Sequence, residues 1–296
     1  MHHAMTRRQF IQAAATAPAF LALGAEKPFK QPVVIFSKLY QELKLSFDES
    51  AAVTAEAGLD GIDCTVRPKG EIEPEKAADE MPRYAEALRK HKVKMMLLTT
   101  GINGVDSTNA ETILRMAKKL GIHYYRLGFS KQEPVASVKP RLKELAALNK
   151  QIGVCAIFQN HSQGKSKTPY TGGDLNQMLE IMQALPPEQM GVAFDLGHAL
   201  ATHGNEWSKH FEALKPWIKI AYIKDYKIGT GFVGYGEGDF GQTDYFHRLR
   251  AMNYRAPLSM HIEYDWAKGQ KKTRELMLKT LKDSRQTLAR WIAASK

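Results

Sequence analysis

Cysteine is scarce: the 296 residues hold only Cys64 and Cys155, each inside an apolar run that reads as a strand. A disulfide would need two interior strand positions to face each other at close range, so buried free thiols are the expectation. Long hydrophobic runs are also missing. The longest mild apolar stretch, Gln12 to Ala25, is about 14 residues, short of the roughly 20 a membrane helix needs. No Pro/Ser-rich linker divides the chain, so 296 residues are expected to form one large domain. Acidic residues are outnumbered by basic ones, 31 to 42, for a formal +11. Two of those charges, Arg7 and Arg8, lie in residues 1–25, which hold no acid and leave the remainder at +9. That excess would suit an acidic partner or a membrane surface. However, the Lys and Arg residues are scattered along helical stretches (Lys118-Lys119, Lys271-Lys272, Arg285) and form no basic arm interleaved with aromatics. No nucleic-acid footprint is therefore expected.

What is present begins with Thr6-Arg-Arg-Gln-Phe-Ile11, followed by an alanine-rich run ending in small residues. A paired arginine before such a run is a secretory pattern, and these six residues resemble the twin-arginine export motif. The resemblance implies cleavage near Ala25 and a periplasmic or extracellular protein folded before export. An amphipathic N-terminal helix is the alternative.

From residue 31 on, short apolar runs alternate with helical patterns. Strands are expected at Val33–Phe36, Gly61–Val66, Lys94–Thr100, Tyr124–Phe129, Val154–Phe158, Gly191–Asp195, Ile218–Lys224 and Leu258–Tyr264. Helices are expected at 47–58, 81–91, 109–120, 139–152, 174–185, 207–214, 243–252 and 273–293. Eight strand–helix units at spacings of roughly 25 to 35 residues predict an α/β fold, a single-domain (β/α)8 barrel over residues 26–296. A doubly wound open sheet is the rival. The long loops follow the second strand (67–80), the fifth (162–173) and the seventh (225–242), on the face where a barrel builds its site. The Gly-rich segment Gly229 to Asp239 matches no phosphate cradle and reads as a mobile lid or a substrate-shaping loop.

The strand ends carry the chemistry. Gly191-Val-Ala-Phe-Asp-Leu-Gly-His-Ala199 runs as a buried strand and then offers Asp195 and His198, with Gly197 between them to let the chain turn. The plainer alternative is that Asp195 caps the next helix and His198 packs. Other strand ends add Arg126; Gln159, Asn160 and His161; Tyr222, Lys224 and Asp225; and His261, Glu263, Tyr264, Asp265 and Trp266. Alternation places His261, Glu263 and Asp265 on one side, and Tyr222 with Lys224. Such a set can hold a divalent cation, with Asp195 and Glu263 the best ligands.

Phe158-Gln-Asn-His161, Phe194-Asp-Leu-Gly-His198, Tyr222-Ile-Lys-Asp225, Gly236-Glu-Gly-Asp239 and His261-Ile-Glu263, in that order, resemble the sugar phosphate isomerase/epimerase family. These are xylose isomerase-like TIM barrels related to ketose 3-epimerases and apurinic endonucleases, and the resemblance covers about residues 31–290. It implies a site in which a Glu, an Asp, a His and a Glu hold one divalent metal (Mn, Mg, Zn or Co) and the two Glu move a proton beside a carbonyl. Carried across, Asp195 and Glu263 match two ligands, His198 a substrate contact, and Lys224 and Asp225 the family's Lys-Asp pair. Gln159 and Tyr222 stand where Glu and the metal His belong. The expectation is then a metal on Asp195, Glu263 and Gln159. Glu263, His198 and Lys224 are the catalytic group, and Arg126, His161, Tyr222 and Trp266 the substrate contacts. His161 is a substitute ligand or base. The implied partner is a monosaccharide or keto-sugar; homo-oligomerisation stays open. A barrel that has lost catalysis and only binds sugar, and a one-base sugar lyase, are the alternatives. Nucleic-acid phosphoester hydrolysis would need a multi-metal cluster that the loss of His at 222 argues against.

Overall fold

The computed structural model describes residues 29–129, 131–162 and 170–295. The expected export segment, residues 1–25, and the middle of the loop 162–173 lie outside the described residues. Strands and helices alternate along the chain: β1 (Val33–Phe36), α1 (Lys38–Gln41), α2 (Phe47–Glu56), β2 (Gly61–Val66), α3 (Ala77–Lys90), β3 (Lys94–Thr100), α4 (Ala110–Lys119), β4 (Tyr124–Arg126), α5 (Val135–Ile152), β5 (Cys155–Gln159), α6 (Leu175–Met182), β6 (Met190–Asp195), α7 (Leu196–His203), α8 (Trp207–Leu214), β7 (Ile218–Ile223), β8 (Tyr226–Lys227), β9 (Gly231–Phe232), α9 (Tyr245–Ala251), β10 (Leu258–Met260) and α10 (Arg274–Ala294). Eight of the strands close into one parallel barrel in the order β1-β10-β7-β6-β5-β4-β3-β2. The (β/α)8 expectation over the open sheet is met. No described helix is long and apolar enough to cross a membrane. Cys64 and Cys155 are buried and free, as expected.

Helix starts follow local chemistry. Ser46, not Asp48, begins α2: its hydroxyl accepts from Glu49 N while the Glu49 side chain accepts from Ser46 N, a reciprocal cap. Asp174 caps α6 through Asn176 N. Helices α3 and α5 begin four residues earlier than the sequence patterns indicate, and carry Pro82 and Pro140 within their early turns. Three strands end sooner than expected: β4 at Arg126, not Phe129, β7 at Ile223, not Lys224, and β10 at Met260, not Tyr264.

The barrel interior changes character along its axis. Val34, Leu97, Ile157, Ala193 and Ile220 form a dry cluster with the ring of Tyr222. Toward the carboxyl ends the lining turns polar. Asp63 of β2, fully buried, accepts from Thr99 Oγ1 at 2.9 Å and Ser259 Oγ at 3.0 Å. This apolar floor beneath a polar rim lets one end of a packed barrel carry chemistry without opening its core.

The Gly-rich loop is anchored. Asp225, at the exit of β7, accepts from the backbone N–H groups of Gly236 (2.8 Å), Gly238 (3.0 Å) and Phe240 (3.2 Å). Strands β8 and β9 pair as an antiparallel ribbon that presents Phe232 to the barrel mouth. Gly238 is required by closeness: a Cβ there would lie 2.3 Å from Asp225 Oδ1. Phe232 of this loop lines the cavity at the barrel mouth. Replacing Asp225 by Ala strips three amides of a charged acceptor and is expected to cost roughly 2 kcal/mol or more. Faster amide exchange across 226–240, by mass spectrometry, checks this; unchanged exchange there would remove Asp225 as the anchor.

Candidate functional site

The side chains that the strand ends contribute meet at one point, the ammonium of Lys224. Its Nζ lies 2.6 Å from Glu263 Oε2, 2.7 Å from His198 Nε2 and 3.3 Å from Asp195 Oδ2. Lys224 is only 3% exposed and Asp195 is fully buried, whereas Glu263 keeps 23% of its side chain open to the mouth. From this centre a chain of polar contacts runs both ways. Glu263 Oε1 accepts from Lys38 Nζ at 3.0 Å. On the other side, Gln159 Nε2 donates to Asp195 Oδ2 at 2.8 Å, and Gln159 Oε1 accepts from Arg126 Nη1 at 2.5 Å. The sequence of groups is cation, carboxylate, cation, carboxylate, amide, cation. Every carboxylate oxygen in it that faces the site already has a donor.

Asp195 caps the next helix with one oxygen, as the plainer alternative had it, and turns the other to Lys224 and Gln159. Oδ1 accepts from His198 N at 3.1 Å and caps α7, while Oδ2 faces Lys224 and Gln159. Its backbone is clamped as well: Asn160 Nδ2 donates to Asp195 O at 2.9 Å and Asn160 Oδ1 accepts from Asp195 N at 2.7 Å. The sequence pointed to a loop after Asp195, but α7 starts at once, so His198 sits in a helical first turn. Gly197 serves close packing and not turning. A Cβ there would fall 2.9 Å from both Cβ and the carbonyl oxygen of Lys224.

Burial sets the protonation states. Burial, with the Lys224 charge next, holds the His198 imidazole well below its ordinary pKa. Burial and then Lys224 and Arg126 bring His161 down to about 3, and burial chiefly brings His261 to about 3. These rings are neutral at pH 7. Both ring nitrogens of His198 are engaged: Lys224 Nζ lies 2.7 Å from Nε2, while on Nδ1 the Ser162 backbone N–H donates at 3.2 Å and Ser162 Oγ lies at 2.7 Å. The two carboxylates diverge. Burial raises Asp195 against the pull of Lys224. Burial acts the same way on Glu263, but Lys224, with His261 and Lys38, holds it well below the usual carboxylate range. One ammonium serves two acids, and burial and charge move their pKa values in opposite directions.

The remaining predicted residues divide into those at the mouth and those beside it. A cavity of about 520 Å³ opens above Lys224, lined by Lys38, His161, His198, Phe232, Glu263 and Asp265 among others. His161 lies past the end of β5, its ring 4.1 Å from that of His198, with Nδ1 unpartnered. Arg126 lies beneath, over Phe36. Tyr222 has no exposed surface and faces Asp63 and Thr99 from within the barrel, its hydroxyl without a hydrogen bond. Trp266 lies outside this cavity, its indole N–H donating to Glu42 at 2.9 Å. Lys38, Arg67, Asn160, Ser162 and Asp63 were assigned no role from sequence. Of these, only Asp63, a charge in the middle of an apolar strand run, carries a signal that would have marked it.

These residues do not fit a divalent metal. The three proposed ligands are Asp195, Glu263 and Gln159, and the amide of Gln159 presents its N–H₂, not its oxygen, to Asp195. Tyr222, in the place of a His, is fully buried and lines no part of the cavity. Among the described residues no three His, Cys, Asp or Glu side chains are arranged to hold an ion.

Against known proteins, the family model described as "Xylose isomerase-like TIM barrel" matches residues 51–283. None of the curated proteins matches the sequence. Among solved structures, the fold is similar to that of the IolI protein with a binding zinc atom, at 18% identity, covering 90% of this chain and 99% of that one, with a TM-score of 0.65. The probable 3-DHS dehydratase AsbF of Bacillus anthracis is similar at 14% identity, covering 88% and 99%, with a TM-score of 0.64. D-allulose 3-epimerase of Methylomonas sp., in complex with D-allulose, is similar at 13% identity, covering 90% and 99%, with a TM-score of 0.59.

Neutral buried imidazoles make the fold acid-sensitive. A histidine whose folded pKa is depressed contributes stability that is present above its unfolded value and lost as pH falls. Melting temperature should therefore hold between pH 8 and about 6.5 and fall steadily below that, as His161, His198 and His261 are forced to charge. Imidazole proton shifts followed by NMR should show no inflection for these three between pH 5 and 8; one near the ordinary histidine value would show that the ring titrates freely.

Proposed function

The chain belongs to the xylose isomerase-like TIM barrel family, and from that premise we propose that it is an exported enzyme of the sugar isomerase/epimerase type. It acts on a monosaccharide or keto-sugar by moving a proton at the carbon next to a carbonyl. The observation that carries the reading is the placement of Glu263, ionised and partly open, beside a buried ammonium at the floor of a cavity of about 520 Å³. That volume suits a small polyol.

The residues divide the work as follows. Lys224, and Arg126 through Gln159, supply positive charge where the carbonyl oxygen becomes an enolate oxygen. As Lys224 turns toward that oxygen, Glu263 loses its nearest cation and becomes a stronger base, so substrate binding itself raises the basicity that proton removal needs. His198 and His161, neutral, offer hydrogen bonds to hydroxyls. Gln159 cannot accept a proton, so a single carboxylate faces the cavity from the two positions where the family resemblance implies a pair. This favours a one-base reaction, an isomerisation over one face or loss of water from a hydroxy ketone, over two-base inversion. The epimerase and the dehydratase among the similar folds support this class, because epimerisation and dehydration of a hydroxy ketone share deprotonation next to the carbonyl.

A second reading, a barrel that binds sugar without turning it over, is favoured by the two lysines that already hold both oxygens of Glu263. Deuterium exchange separates the two. Incubated in D₂O with a panel of aldoses, ketoses and keto-sugars, the protein should exchange the proton beside the carbonyl of at least one of them. Glu263→Gln should slow this by ~100-fold or more with unchanged circular dichroism. Saturable binding without exchange would support the second reading; full exchange in the variant would discard Glu263 as the base.

Export rests on the Arg7-Arg8 pair and the run that follows. Replacing both arginines by lysine is expected to leave the uncleaved chain in the cytoplasm, read by fractionation and intact mass; cleavage and export as in the parent would discard the twin-arginine route.

A further inference from the structure

We propose that the ε-ammonium of Lys224 takes the place and the electrostatic task of the divalent ion that the family resemblance implies, so that this barrel works with a covalently tethered monovalent cation. The inference goes beyond the proposed function and does not depend on which sugar is bound.

The argument is geometric. Three acceptors on three different elements converge on one point: Asp195 Oδ2 from the end of β6, His198 Nε2 from α7, and Glu263 Oε2 beyond β10. Two carboxylate oxygens and an imidazole nitrogen face one point, and Lys224 Nζ stands there, its ammonium surrounded by them at 3.3, 2.7 and 2.6 Å; with the lysine in place, no three such side chains among the described residues are arranged to hold an ion. The surrounding substitutions agree with a lower central charge. A glutamate at 159 would bring a third carboxylate against Asp195, which a dication balances and a single ammonium does not. Glutamine instead donates to Asp195 Oδ2 at 2.8 Å. At 222, where the resemblance implies a histidine, Tyr222 packs its ring with the apolar cluster of the barrel interior. Gly197 completes the fit, because its missing side chain lets α7 approach the Lys224 backbone closely enough for His198 to reach Nζ. A lysine on β7 cannot be removed by dilution or by a chelator, and it can leave Glu263 for a substrate oxygen and return, which a four-coordinate ion does less readily.

The test measures metal content and needs no substrate, so its failure is distinct from failure of the proposed reaction. The purified full chain, equilibrated with MnCl₂ and separately with ZnCl₂ and desalted, is expected to retain far less than one equivalent by mass spectrometry of the metal, and its melting temperature should not move with either salt. Lys224→Met leaves the three acceptors without their cation and should bind Mn²⁺ or Zn²⁺ at least tenfold more tightly than the parent, with a rise in melting temperature. Lys224→Arg, which keeps a cation there, should not. One stoichiometric ion in the parent, lost on Asp195→Asn, would overturn the proposal. So would a folded Lys224→Met that binds no more metal than the parent. The measurement on the parent stands by itself if the methionine variant fails to fold.

Discussion

The contact between Lys224 and its three acceptors is the constraint on which the arrangement of the site depends. Two carboxylates and a lysine are taken out of water together, and the desolvation of each is offset only while all three stay in register. That register is set by elements far apart in the chain: Asp195 at the end of β6, Lys224 just past β7, Glu263 beyond β10. In a closed barrel these strand ends are neighbours, because β6 pairs with β7 and β7 with β10. An open sheet would not close the ring that brings β10 round to β1, and Lys38 of α1 would lose its place on Glu263. The ion cluster therefore reads out the closure of the barrel, and closure in turn fixes the cluster.

Asp195 shows how a fold element and a site can share one side chain without conflict. A capping residue must hold one carboxylate oxygen over the first turn of a helix, which fixes its rotamer. The other oxygen then points in a determined direction, here into the barrel mouth. Asn160 tightens this by gripping both backbone polar groups of Asp195 from the neighbouring strand exit. The cost of misplacing the Asp195 carboxylate is thereby coupled to the cost of unwinding α7 and displacing β5, so the cluster inherits the stiffness of the scaffold. Asp225 repeats the scheme one strand later: a carboxylate at the exit of β7 gathers three amides and fixes the loop whose Phe232 walls the cavity.

How much of this could be read in the chain follows from what each feature depends on. The barrel was legible because buried parallel strands are continuous apolar runs, and Val33–Phe36, Gly61–Val66 and Ile218–Ile223 stand out at regular intervals. The gathering of polar groups at the strand exits was legible for the same reason, since topology alone brings 195, 224 and 263 together. The ends of β4 and β10 were not, because a strand stops where its neighbours stop pairing, and that depends on register across the barrel. Helix α7 was hidden because Gly197 and His198 read as turn residues; only the proximity of β7 explains why a glycine belongs inside a helix there. Tyr222 was expected among the substrate contacts, since alternation gives the side of a strand but not access to the mouth; it is in register with Asp195, fully buried, and lines no part of the cavity.

The least legible feature is the one that matters most for the chemistry. In sequence, Lys224 and Asp225 are one motif, and both fall at a strand exit. In space they separate. Asp225 turns to the loop amides and becomes structural, while Lys224 turns to the axis and becomes the centre of charge. A lysine side chain has four rotatable bonds, so nothing local fixes where its ammonium ends; the acceptors of three other elements do. The same reasoning explains why Gln159 is more than a lost base. Its amide is the group that can accept from Arg126 and donate to Asp195 at once, linking a cation on β4 to the anion on β6. A glutamate would serve the first contact and oppose the second. The glutamine at 159 and the inward turn of Lys224 are thus mutually consistent, an amide and an ammonium sharing Oδ2 of Asp195.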